Sequence, residues 1–353
     1  MKLLSIGAGA IGTYIGGSLA IHGHKVTFLE TPGVVEKLRG SGLCLEIEGH
    51  PLRISDPSLA SSLEEALALG PYDVAIFALK SYDTRNAIES LMRYPAELPP
   101  ILCLQNGISN ESLLISAFGA ENVIAGSVTS AVGRRAAGEI VLERLRGVGI
   151  EGNHRLSGTL VSAFNQAGLN ARLYSNPASM KWSKLVTNLP ANASSAILNL
   201  TPGDIFSNPD LFKMEIRQLR EALAIMKAQN IPVVDLPGTP VRLFAFAIRS
   251  LPLELSRIIL KRAVGSGRGG KMPSFHIDLY NQRGKSEVAY LNGAVADEGD
   301  KKGIPTPVNR FLTDTLLALT QGKIPLNTYA QKPAKFLEDL LSRSKDTYYS
   351  TTP

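Results

Sequence analysis

"KLLSIGAGAIG", Lys2 to Gly12, decides the fold. Leu3 to Ile6 reads as a short buried strand, and it runs into Gly7-Ala8-Gly9-Ala10-Ile11-Gly12, a G-x-G-x-x-G arrangement. A helix-like segment follows from Ala10 to about His22, and HKVTFLE then reads as a second strand ending at Glu30. The glycine pattern alone is weak. Strand, glycine turn, helix and strand in this order, with an acidic residue about 20 positions on, form the dinucleotide-binding fingerprint. Gly7 makes the tight turn, Gly9 lets a pyrophosphate approach the backbone, and Gly12 lets the helix pack on the strand. The helix start then offers unpaired N–H groups and partial positive charge to phosphates. A carboxylate at Glu30 accepts hydrogen bonds from an unphosphorylated ribose and repels a 2′-phosphate, so this residue favours NAD(H) over NADP(H).

Working outward, further strand signals occur at LCLEIEGHPLRI (a hairpin about Glu48-Gly49), YDVAIFAL, PILCLQ and NVIAGSV. Helical patterns over Ser62–Leu69, Asp83–Met92 and Glu111–Phe118 alternate with them. This alternation predicts an α/β, Rossmann-like domain with a parallel sheet covered on both faces. Beyond YSNPASM the chain reads almost entirely helical, with breaks at Pro202-Gly203, Ile231-Pro232 and Gly303 to Pro307. The expected organisation is a dinucleotide-binding domain over 1–175, an all-helical substrate domain over 176–343, and a polar tail over 344–353. The stretch Leu236 to Met272 reads as an insertion or a mobile loop within the helical half.

With 353 residues and 44% hydrophobic content, the chain can bury a sizeable core, and two domains are expected. The net charge of +6 fits an anionic ligand, but no dense Lys/Arg run interleaved with aromatics points to nucleic acid. Cys44 and Cys103, isolated from one another, make neither a disulfide framework nor a zinc site, and a cytoplasmic protein is expected. The apolar N-terminus is broken by glycines before it resembles a signal peptide, and no run is long enough for a membrane span. The five histidines show no ligand spacing, so no metal is expected. Gly265 to Met272, GSGRGGKM, approaches a P-loop, but Met272 stands where Ser or Thr would hold magnesium. It reads as a basic loop.

A second constellation is MKWSKLVTNLPAN, Met180 to Asn192. Lys184, Asn188 and Asn192 recur every four residues, so on a continuous helix they share one face. Trp182, Leu185, Val186 and Leu189 around them call for burial. Pro190 cannot donate to the carbonyl of Val186, so the helix bends or breaks there. A dinucleotide domain needs a partner surface to hold a substrate. There an ammonium can polarise a carbonyl and donate a proton, while asparagines hold hydroxyl or carboxylate groups.

At this point the sequence resembles the ketopantoate reductase (2-dehydropantoate 2-reductase) family. The resemblance rests on the N-terminal fingerprint, LKSYD at Leu79–Asp83, QNGI at Gln105–Ile108, KWSKLVTNLPAN, and PSFHIDLYNQRGKSEVAYLNG at Pro273–Gly293. It spans most of the chain, to about Leu319. The resemblance implies Lys184 as general acid, with Asn188 and Asn192 holding substrate. It implies Asn106 touching cofactor and substrate, Ser274 binding the substrate carboxylate, and Glu287 beside the substrate hydroxyl and the cofactor. Lys80 would lie near the adenosine ribose phosphate, and Val132, by register, would make a backbone cofactor contact. Family members often carry an arginine after the second strand for the 2′-phosphate of NADPH; here Thr31 stands there, behind Glu30. NADP(H) is thus implied by resemblance and NAD(H) favoured by Glu30. A further substrate asparagine of the family is replaced near Pro202-Gly203, with Asn199 close by.

The expected function is reduction of a small 2-oxo acid, ketopantoate or a close analogue, by NAD(P)H. A related hydroxy- or oxo-acid dehydrogenase and a non-catalytic NAD(H) sensor are the alternatives. No nucleic-acid or membrane partner is expected, and a homodimer is compatible with the chain.

Overall fold

The computed structural model describes residues 1–252 and 272–349. Its contacts divide into two compact units, Met1–Lys181 with Asp235–Thr239, and Trp182–Val234 with Pro240 onward. The expected boundary between 175 and 176 falls just before the helix Pro177–Asn188, and the division by contact falls inside that helix. GSGRGGKM lies outside the described residues up to Met272, as does most of the expected insertion.

Among the described residues the first unit holds all twelve strands: β1 Lys2–Ile6, β2 Lys25–Leu29, β3 Leu43–Ile47, β4 His50–Ile54, β5 Ser58–Ala60, β6 Val74–Phe77, β7 Ile101–Cys103, β8 Val123–Val128, β9 Ala131–Ala136, β10 Glu139–Arg144, β11 Val148–Glu151 and β12 Ala171–Tyr174. Eight of them form one sheet in the order β12-β11-β8-β7-β6-β1-β2-β5. The six strands from β8 to β5 are parallel, and β11 pairs antiparallel with β8. Alternation sends neighbouring residues to opposite faces. Leu3, Ile76, Leu102 and Ile124 join Tyr14, Ile15 and Leu19 of the helix Ala10–Ile21 in one apolar cluster. Leu4, Ala75, Phe77, Ile101 and Cys103 join Leu91 and Leu114 in another. Both faces are therefore covered, and each large buried side chain contributes about 1.5–3 kcal/mol.

The hairpin read at Glu48-Gly49 is present, with β3 and β4 antiparallel and positive φ at both turn residues. It belongs to a second, four-stranded sheet of order β4-β3-β10-β9. That sheet was not foreseen. Its outer strand β9 and its partner β10 carry Arg134, Arg135, Glu143 and Arg144 exposed, so they lack the apolar density by which a strand is recognised.

The second unit is helical. The lysine helix Pro177–Asn188 ends just before Pro190, Ala191 takes a left-handed conformation (φ 51°, ψ 17°), and a new helix runs Asn192–Leu198. The break expected from Pro190 is thus found. Thr201 closes a capping box with Asp204 at the helix Pro202–Ser207, and Asn208 caps the long helix Pro209–Ala228. Gly303, left-handed, ends the helix Asn292–Lys302, and Pro307 opens Pro307–Thr320. The last helix runs from Pro333 to Tyr349, so the backbone expected to fray from residue 344 continues as helix.

Candidate active site

The glycine turn sits at the carboxyl end of β1, between the ends of β2 and β6. Gly7 has φ 99° and donates its N–H to Leu29 O at 3.0 Å, joining the ends of β1 and β2. A Cβ on Gly12 would lie 1.9 Å from Gly7 O, so this position is a glycine because helix and turn touch there. Gly9 differs. It is the N-cap of Ala10–Ile21, with no side-chain cap, and an added Cβ would meet nothing within 4 Å. No protein contact explains a glycine there, whereas a phosphate seated on the helix start would. Ala10 and Ile11 are half-buried beside it, and Ala8 is buried. Glu30 reaches back to this turn: its Oε1 accepts from Ala8 N at 2.7 Å and its Oε2 from Thr31 N at 3.2 Å. The residues present thus fit a dinucleotide, with the helix start for the pyrophosphate and the Glu30 carboxylate for a ribose.

The ends of β6 and β7 complete this edge of the sheet, where ligands of such folds bind. Lys80 stands at the mouth of the turn Ser81–Asp83. Buried Ser81 donates its hydroxyl to Asn106 O at 3.0 Å, and Asn110 Nδ2 donates to Asn106 O at 2.7 Å and to Ser81 Oγ at 3.1 Å. Gln105 Nε2 donates to Leu79 O at 3.0 Å, so LKSYD and QNGI are cross-tied. Asn106 is exposed, and Gly107 after it has φ 90°. Sequence reasoning missed the residue beneath this turn. Lys181 Nζ lies 2.7 Å from Glu111 Oε1 and donates to Gln105 O at 2.7 Å and Gly126 O at 3.2 Å, with the residue only 5% exposed. Three residues before Lys184, it gave no sign of a different role. Val132 sits in β9 opposite Leu142, packed on the apolar cluster that holds Tyr14.

In the helical unit, residues 182–190 are buried at every position except Lys184, Thr187 and Asn188. A lysine and an asparagine thus form a half-exposed stripe on an otherwise buried segment. Asn192 does not extend the stripe along the same helix, because the left-handed Ala191 intervenes and turns Asn192 inward to 5% exposure. Its amide is engaged at both ends: Nδ2 donates to Asn188 O at 3.2 Å, and Oδ1 accepts from Phe275 N at 3.3 Å. Phe275 follows Ser274, which is exposed at the first position of Ser274–Tyr280; Pro273 takes the cap position and no side chain caps the helix. Asn192 therefore links the asparagine end of the lysine helix to the serine helix. Glu287 is 3% exposed, at the start of the turn Glu287–Tyr290, so it is no solvated surface charge. Asn199, left-handed at the end of Asn192–Leu198, shares a 2.8 Å hydrogen bond with His276, whose ring stacks on Tyr280 at 4.2 Å. Burial lowers the pKa of His276.

Among the described residues no cluster of His, Cys, Asp and Glu could hold a metal, and no helix is long and apolar enough to cross a membrane. Both cysteines are free.

Residues 3–151 match the family described as ketopantoate reductase PanE/ApbA, and residues 176–320 match its C-terminal part. The chain belongs to this family. Its members are oxidoreductases, and the dinucleotide-binding fold described above is the one in which they take NAD(P)H. A 2-dehydropantoate 2-reductase of Pyrococcus horikoshii is 28% identical over 318 residues, covering 88% of this chain and 95% of that protein. The crystal structure of a ketopantoate reductase from Ralstonia eutropha JMP134 matches with a TM-score of 0.76 at 27% identity, covering 92% of this chain and 99% of that one. D-mandelate dehydrogenase, solved with NADH and anilino(oxo)acetate, matches with a TM-score of 0.75 at 22% identity, covering 93% and 99%. At that identity the likeness extends to the fold.

Proposed function

We propose that this ketopantoate reductase family member reduces 2-dehydropantoate to pantoate, inside the cell and in the service of pantothenate synthesis. The observation that carries the reading is the half-exposed Lys184–Asn188 stripe on a buried helix, with Asn192 tying it to the Ser274 helix. A solvated edge charge does not need such a frame.

The dinucleotide, when bound, supplies a hydride from its reduced nicotinamide. Lys184 Nζ hydrogen-bonds the keto oxygen and passes a proton to it as negative charge develops there. The neutral amine left behind is re-protonated from solvent. Asn188 and Ser274 hold the substrate's hydroxyl and carboxylate, Glu287 anchors the hydroxyl side, and Asn106 contacts substrate and cofactor. Asn192 acts from behind, because its amide is already committed to Asn188 O and Phe275 N. On the cofactor side, residues 7–12 receive the pyrophosphate, Glu30 and Lys80 flank the adenosine ribose, and Val132 lends a backbone contact. Glu30, held by Ala8 N, favours NADH as a competent donor alongside or ahead of NADPH.

A second reading is reduction of a 2-oxo acid with a larger substituent. The observation favouring it is the likeness to a D-mandelate dehydrogenase solved with NADH and anilino(oxo)acetate. One experiment tests both: a panel of 2-oxo acids, branched aliphatic and aromatic, each with NADH and NADPH, on wild-type enzyme and Lys184→Ala. The proposal expects 2-dehydropantoate to give the highest kcat/KM, and Lys184→Ala to lower kcat by roughly two to four powers of ten. An aromatic oxo acid in first place would select the second reading. Binding of NADH with no turnover on any acid would select a sensor.

A further inference from the structure

The helix Pro209–Ala228 carries Glu215, Gln218 and Glu221, all buried, although its sequence would pass for an ordinary solvated face. Glu215 has no exposure at all. Its Oε2 accepts from Ala191 N at 2.9 Å and from Gln218 Nε2 at 3.0 Å, and its Oε1 accepts from Ser194 Oγ at 2.5 Å. Ala191 is the left-handed residue between the lysine helix and the next one. A non-glycine residue keeps that conformation only where its surroundings hold it. Pro190 before it has no N–H to offer, so Ala191 N is the first donor after the break, and the carboxylate meets it.

The consequences run in two directions. Beyond the break, Asn192 donates to Asn188 O and accepts from Phe275 N, beside Ser274. Behind it, Gln218 Nε2 reaches Leu189 O at 3.4 Å while its Oε1 accepts from Asn292 Nδ2 at 2.7 Å. Asn292 opens the helix that follows the Glu287 turn. One carboxylate and one adjacent amide thus hold both sides of the break and the start of the Asn292 helix, and the Ser274 helix is reached from the break through Asn192.

We infer that Glu215 is a positioning residue for the substrate, fixing the break at Ala191 and thereby the placement of Asn188, Asn192 and Ser274. The inference rests on the reading of Asn188 and Ser274 as substrate-holding groups. Glu215 touches no reacting atom. Its carboxylate is suited to the task because it accepts from a backbone N–H, a hydroxyl and an amide at once, which a side-chain amide of the same shape cannot do.

The test is Glu215→Gln in the full-length enzyme. An amide replaces one acceptor oxygen with a donor, so at least one of the three bonds is lost or must reverse its direction, and the charge that strengthens all three is removed at little change in volume. We expect KM for the best 2-oxo acid to rise at least tenfold while kcat falls less. NADH affinity, read by fluorescence titration, should stay within twofold, because the glycine turn and Glu30 are elsewhere in the chain. Amide hydrogen exchange should speed up in residues 188–193 and 273–276 together. Ser194→Ala, which deletes one donor and keeps the carboxylate, should give the same pattern at smaller amplitude, with KM raised about threefold. It keeps the inference testable if Glu215→Gln does not fold. An unchanged KM in a folded variant, or faster exchange spread evenly over all helices, would overturn it. If wild-type enzyme reduces no acid in the panel, the functional proposal fails and the exchange data still decide the tether. Acceleration confined to 188–193, with 273–276 unmoved, would show that no linkage exists.

Discussion

Gly9→Val separates a glycine kept for a ligand from one kept for the fold. At Gly9 the backbone is extended (φ −69°, ψ −166°), which any residue adopts, and an added Cβ meets nothing within 4 Å. The stability cost is then mainly that of a poorer N-cap, about 1 kcal/mol, or roughly 2–4 °C in Tm for a unit of this size. Gly12→Ala is the internal control. Its Cβ would lie 1.9 Å from Gly7 O, a backbone atom that cannot swing aside, so a loss of several kcal/mol or failure to fold is expected. For the ligand the ranking reverses. Valine at the helix start would push the pyrophosphate off the N–H groups that receive it, and each charged hydrogen bond lost there costs about 1.5–3 kcal/mol. Two such bonds correspond to at least a hundredfold in Kd. The assay is NADH and NADPH titration of Gly9→Val by fluorescence, with its melting curve recorded beside wild type. A variant that melts within a few degrees of wild type and still binds either dinucleotide with unchanged affinity would refute the placement of the phosphates.

Glu30→Arg should move the NADPH/NADH ratio of kcat/KM towards NADPH by at least tenfold, since it removes a repelling carboxylate and adds a cation for a 2′-phosphate; an unchanged ratio would show that Glu30 does not face the ribose. Asn188→Ala should raise KM for the oxo acid with kcat largely kept, because the groups it holds change little in the transition state; a fall in kcat at unchanged KM would reassign Asn188 to the chemistry. Burial pushes the Glu221 carboxyl up to about 7, outweighing the N–H donors of Val308 and Asn309 that favour its charged form. The folded protein then binds the proton more tightly than the unfolded chain, so stability should fall as pH rises from about 4.5 to about 7 and level off above. Denaturant unfolding across that range should show a slope of up to about 3 kcal/mol in all. The slope should vanish in Glu221→Gln, and its survival there would assign it to other groups.

The parts of this molecule that were legible in the sequence are those specified locally. The strand, turn and helix from Lys2 to Ile21, and Glu30 at the next strand end, lie within thirty contiguous residues. Each step there has its own chemical requirement: a short buried strand, a positive φ at Gly7, contact at Gly12. The second sheet was not legible, because β10 pairs with β3 across some ninety residues of chain, in the register Glu139 to Cys44. Its outer strand is polar, and no local property announces a partner so far away. The antiparallel β11 was hidden in the same way. Its four residues Val148–Glu151 are too few to show a period.

The lysine helix shows where the boundary lies within a single motif. Pro190 foretells a break, because a missing N–H acts on its own helix wherever that helix sits. The fate of Asn192 could not be foretold the same way. Four-residue spacing places it beside Lys184 and Asn188 only while the helix continues, and the break turns it inward to bridge Asn188 and Phe275. Lys181 and Lys184 make the point more sharply, since they lie one turn apart with the same chemistry. Lys181 is clamped between Glu111, Gln105 O and Gly126 O, and Lys184 belongs to the half-exposed stripe. Nothing in their spacing within the helix tells them apart; Lys181 is fixed by the carboxylate of Glu111, some seventy residues earlier. The motif therefore locates the candidate chemistry to within one helical turn, and the residues packed against the helix decide that Lys181 is a strut. Lys181→Met should accordingly disturb the Asn106 turn and weaken NADH binding, whereas Lys184→Ala should spare NADH binding and lower kcat by roughly two to four powers of ten. If the two variants lost the same function, the clamp and the stripe would have to be read as one device.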